Sequence, residues 1–173
     1  MPAVLTFLQA TPDTANASTY TFSAQNLGTA TADRHIIVGA VGRKSGGSTT
    51  ISSITVAGIT ATIVKQQSST TSNSNTGGLA IARVPTGATG DVIVTYAAAQ
   101  VRSAIGLYHA TGIVFTPYDS DSSNVDVPSV NLNIPASGFA IGIGGTAANT
   151  TASWTGLTEN FDAVVEAALN YTG

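Results

Sequence analysis

Arg34-His35-Ile36-Ile37-Val38-Gly39-Ala40-Val41-Gly42 reads as a strand that is apolar on both faces. Side chains alternate across a strand, so a half-covered one shows one polar face. The absence of such a face here predicts a central strand covered on each side. Arg102 to Ala110 repeats the pattern. Around these two, short apolar segments alternate with turn signals almost throughout, the spacing of an all-β sandwich, jelly-roll or Ig-like.

The remaining segments fit that frame. Ser18 to Ala24 is a strand with Tyr20 and Phe22 on one face and Thr19 and Thr21 on the other. Ile51 to Ala57 and Ile59 to Gln66 form a hairpin turning at Ala57-Gly58. Leu79 to Val84 and Asp91 to Tyr96 are joined by the breaker-rich turn Pro85 to Gly90. Val130, Leu132 and Ile134 alternate with Ser129, Asn131 and Asn133, the cleanest half-buried pattern in the chain. Phe139, Ile141 and Ile143 alternate with Ala140, Gly142 and Gly144, so one strand face is almost bare. A bare face predicts an aromatic ring or another backbone packed closely on it. Asp162 to Leu169 fits a short helix or an edge strand, and the strand reading is preferred.

Two segments are set apart. Gln66 to Gly78 (QQSSTTSNSNTGG) is the one low-complexity stretch and reads as a loop at one end of the sandwich, facing solvent or a host. Residues 1–14 read as an N-terminal arm before a single sandwich domain over 15–173. The end of the chain, Tyr171-Thr172-Gly173, looks like a strand entering a turn, so continuation of the polypeptide or pairing with another subunit is expected there.

Composition narrows the function classes. Only 9% of the residues are charged, and Ser, Thr, Gly, Ala and Asn fill most positions outside the core. A surface solvated by hydroxyls and amides on Val- and Ile-rich strands points to an extracellular or virion-type β-domain. The chain has no Cys, so disulfides and thiolate metal sites are ruled out. Six scattered Lys and Arg and a net charge of −3 give no electrostatic footprint for nucleic acid. No run of about twenty apolar residues spans a membrane, and the N-terminus lacks the flank of a secretory signal. Exit by lysis or within a particle would reconcile these features.

The candidate chemistry is sparse. His35 and His109 are the only histidines, each within a strand pattern, without a G-x-S-x-G turn or H-E-x-x-H spacing. Asp119, Asp121 and Asp126 form the one carboxylate cluster. It resembles the start of a calcium loop, but Asn124 and Val130 stand where an EF-hand needs Gly and Glu. A solvated acidic loop is the plainer reading, and no metal or cofactor is expected. Gly142-Ile143-Gly144-Gly145 lacks the third glycine, the Lys and the helix of a phosphate loop. Sequons at Asn16, Asn149 and Asn170 match by chance in a Thr-rich chain. Trp154, the only tryptophan, either covers the core at one end or joins Phe115 and Tyr118 in a sugar-binding platform.

Three stretches carry a resemblance: Ala32 to Val38, Ile54 to Thr62 and Val84 to Thr95, with Trp154-Thr155-Gly156-Leu157-Thr158-Glu159 in the same pattern. Over residues 27–160 the chain resembles a β-sandwich protein of tailed phages and prophages. The resemblance implies a non-enzymatic virion structural protein, first of all a capsid decoration or cement protein. Its partners would be the major capsid protein or other virion proteins, with no nucleic acid and no membrane, and its location the capsid surface. Trimers would clamp neighbouring capsomers through the N-terminal arm (Val4, Leu5, Phe7, Leu8) and Trp154. The alternative is a glycan-binding or adhesin module of a tail fibre or cell surface, which requires Trp154, Tyr118 or Tyr108 in a shallow groove.

Overall fold

The computed structural model describes residues 2–70, 73–125, 128–147, 151–165 and 169–173. Its strands are β1 (Val4–Asp13), β2 (Ala17–Asn26), β3 (His35–Ser45), β4 (Ile51–Val56), β5 (Ile59–Thr60) and β6 (Thr62–Ser68). They continue with β7 (Asn73–Arg83), β8 (Thr89–Gln100), β9 (Arg102–Thr111), β10 (Gly144–Thr146), β11 (Asp162–Val164) and β12 (Asn170–Thr172). Two antiparallel sheets, ordered β1-β9-β3-β7-β6 and β2-β8-β4-β5, pack face to face as a β-sandwich. The main core lies between them: Ile36, Val38, Ile105 and Leu107 from one sheet meet Tyr20, Phe22, Ile54, Val92 and Val94 from the other.

The two-faced strands sit where their sequence predicts. β3 lies at the centre of the five-stranded sheet with β9 beside it, and the outer faces of both are buried as well. Ile37, Ile81, Tyr108 and Ala110 cluster under Phe139, Ile141 and Phe161, while Val41 and Ala104 pack with Leu169 and Tyr171. The cover is the chain after β9, a mostly irregular cap that includes the small sheet β10-β12-β11. Gly39 and Gly106 face each other across β3 and β9 and form the floor of this contact. A Cβ on Gly39 would lie 2.9 Å from Ile143, and one on Gly106 would lie 2.5 Å from Phe161. Bulk is absent there because the cap occupies its place.

The Ala57-Gly58 hairpin forms as expected, with φ of 49° and 79° at the two turn residues, the primed geometry that matches strand twist. After Thr60 the chain crosses to the other sheet, so the second arm of the hairpin divides into β5 and β6. Glutamine side chains close the two seams. Gln66 exchanges hydrogen bonds with the backbone of Ile51 (2.7 and 3.2 Å). Opposite, Gln25 Oε1 accepts from the Gln9 amide and from Thr11 Oγ1.

Several expectations are corrected. Residues 4–13 are not an arm but edge strand β1, paired along β9 with a bulge at Leu8. The bulge switches which residues face inward and so blurs the alternation that would mark a strand. Most of Gln66 to Gly78 is likewise not a loop: β6 runs to Ser68 and β7 starts at Asn73. Hydroxyls tie this polar hairpin, Ser74 Oγ donating to Ser69 O at 2.7 Å and Ser68 Oγ meeting Thr76 Oγ1 at 2.6 Å. The Val130 to Ile134 pattern finds no strand partner among the described residues, and Val130 and Ile134 are exposed. Of 139–144, only Gly144 enters a strand. The bare face nevertheless meets a ring, since a Cβ on Gly142 would lie 2.6 Å from the Trp154 indole. At the C-terminus β11 begins at Asp162, and β12 is paired on both sides within the chain; residues 166–168 lie outside the described ones.

Candidate functional site

The two histidines do not meet. Ile36 stands opposite His109 and His35 opposite Ala110, so the two rings leave opposite faces of the sheet. His35 Nδ1 lies 2.9 Å from Asp33 O, and its ring tilts against Phe115 at 5.8 Å. His109 points inward beside Gly28, its Nε2 buried without a hydrogen bond. Burial lowers the pKa of both, helped at His109 by the charge of Arg34. His35 is buried and His109 partly buried, and both environments favour the neutral ring.

The acidic loop is held by its own backbone. Asp119 accepts from the amides of Ser120 (2.7 Å) and Asn133 (2.8 Å), which lower its pKa, and Asp121 caps Ser122 N at 2.7 Å. Asp126 lies outside the described residues, and among those described no three His, Asp or Glu converge as metal ligands.

The residues expected to bind partners divide. Val4 is 51% exposed, whereas Leu8 packs against the main core and Leu5 and Phe7 against the outer-face cluster. Phe7 stacks on Phe161 at 5.5 Å and tilts against Tyr108 at 5.4 Å. Trp154 is half-buried, its Nε1 donating to Thr172 Oγ1 at 2.8 Å. It shares a cleft of about 210 Å³ with Leu5, Tyr108, Leu157, Thr158 and Asn160. A second hollow of about 290 Å³ lies between β6 and Phe115, and Tyr118, 75% exposed, lines neither. So Trp154 and Tyr108 come together, and Tyr118 stands apart from them.

What sequence reasoning missed is Arg34. It is fully buried at the head of β3, and its five N–H donors go to five carbonyls: Val84 (2.6 Å), Leu27 (3.1 Å), Gly28 (2.8 Å), Thr86 (2.7 Å) and Gly87 (2.6 Å). The signal was a lone arginine opening an apolar strand. Comparison with protein-family models, curated proteins and solved structures returned no match.

Proposed function

We propose that this chain is a non-enzymatic virion structural protein that works by burying surface against neighbouring subunits, as a capsid decoration or cement protein does. One observation carries the reading. Val114, Phe115, Tyr118, Val125, Val130 and Ile134 are all exposed, and all lie in the single stretch between β9 and β10. Six exposed apolar side chains within one stretch of chain support reading it as a contact surface rather than a solvated loop. The stretch carries no Lys or Arg, since none follows Arg102 in the sequence. Association as a homotrimer on major capsid protein would cover it, each subunit holding the others near their sites.

The test is solution mass by light scattering across protein concentration, with the triple variant Val114→Ser, Tyr118→Ser, Ile134→Ser beside the native chain. A trimer that the variant dissociates is the expected result. A native chain that is monomeric throughout and indistinguishable from the variant overturns it.

A further inference from the structure

The cleft at Trp154 is built differently from the exposed apolar stretch. Its indole is fixed: Nε1 is tied to Thr172, and the far edge of the ring rests on Gly142, where no Cβ intervenes. Tyr108, only 3% exposed, lines the same cleft. Burial alone pushes the Tyr108 hydroxyl up to about 12, and no hydrogen bond to the described residues contributes. That hydroxyl is not among the sealed, unpaired polar atoms of the described residues, so it keeps access to solvent and can exchange it for a ligand group. Tyr108 lines this cleft, so such a group can enter there.

The rest of the lining fixes the chemistry. Leu5 and Leu157 supply apolar walls, while Thr158 and Asn160 add neutral polar groups at the exposed rim. No charged side chain takes part. A fixed aromatic ring with a few neutral hydrogen-bonding groups suits a ligand that has an apolar face and hydroxyls around its edge. We infer that the Trp154–Tyr108 cleft is a binding site for one neutral sugar ring, its C–H face against the indole and a ring hydroxyl paired with Tyr108. The space, about 210 Å³, admits a single residue such as the end of a chain. This site stands on the cap, β1 and β9, apart from the exposed apolar residues between Val114 and Ile134, so its failure would leave the assembly reading untouched.

Trp154 is the only tryptophan, so its fluorescence reports the site directly. Titration of the intact chain with glucose, galactose, mannose, rhamnose and N-acetylglucosamine, followed by fluorescence and by calorimetry, is the experiment. A saturable change with at least one sugar is expected, weakened by about three- to tenfold in Tyr108→Phe, which loses one hydrogen bond and no packing. The unfolding midpoint of Tyr108→Phe should be unchanged or raised, separating lost binding from lost fold. No saturable signal with any of the five, or equal binding by Tyr108→Phe, overturns the inference.

Discussion

Arg34 meets its burial with dipoles: every donor of the guanidinium ends on a carbonyl from the segments around Leu27 and Val84 to Gly87. Among the described residues the backbone contributes there only the Leu27 N to Ala88 O bond (2.8 Å) beyond the end of the β2–β8 ladder, and the side chain adds five more ties. Arg34→Met keeps the apolar stem and leaves five acceptors without a donor. Each buried, unpaired group costs about 1–3 kcal/mol, and water entering the opened end recovers part of that. A loss of at least about 3 kcal/mol in urea unfolding is expected, with Arg34→Lys little better because three donors cannot serve five acceptors. A midpoint within error of the native one would show that the carbonyls find water freely. The neighbouring histidines add a pH dependence. Both have folded pKa values below the ordinary 6.5, so the fold prefers the neutral rings. Their contribution is complete above about pH 6.5 and is lost as the pH falls through the lowered folded values. Between pH 7.5 and 5 the urea midpoint should drop, and His109→Asn, neutral throughout, should show a shallower drop. Equal slopes would remove His109 from the account.

At the scale of elements, the outer face of β3 and β9 depends on what is missing from it. Gly106 leaves room for the Phe161 ring, which also contacts Phe7 and Tyr171. Gly106→Ala puts a methyl 2.5 Å from that ring and should cost about 1–3 kcal/mol, the range for overpacking. Phe161→Leu in the same chain should return part of it, which a double-mutant cycle would detect as coupling; simple additivity would mean that Phe161 does not bear on Gly106. That β3 and β9 needed a cover was legible, because Ile37 and Val41 alternate with Ile36 and Val38 and no polar face remains. Which residues form the cover was not. Phe161 and Tyr171 reach β9 over long chain separations through a segment with little regular structure, and periodicity carries no information about such contacts. The polar hairpin β6–β7 was hidden for a related reason. Ser74 and Thr76 are buried through hydrogen bonds, to the Ser69 carbonyl and the Ser68 hydroxyl, so the segment has the composition of a loop. The Trp154 cleft was half visible: Gly142 announced a ring, but nothing local named Tyr108 as part of the same lining.

The whole molecule is therefore a sandwich with a third layer, and the two parts divide cleanly along the chain. All nine strands of the two large sheets lie between Val4 and Thr111, and everything that covers the outer face follows them. The sandwich core closes without the cap: its members run from Leu8 to Leu107. A chain ending at Gly112 thus keeps its main core and both glutamine seams but presents Ile37, Val41, Ile81, Ala104 and Tyr108 to water. An uncovered apolar sheet face of this kind drives association. The shortened chain should give a β-type circular dichroism spectrum, bind a hydrophobic dye strongly and grow in mass with concentration well beyond the full chain. If it instead stays monomeric and binds no more dye than the full chain, the cap does not shield that face. If the β spectrum is lost, the sandwich needs its third layer to fold, and the outer face of β3 is as much a part of the core as the inner one.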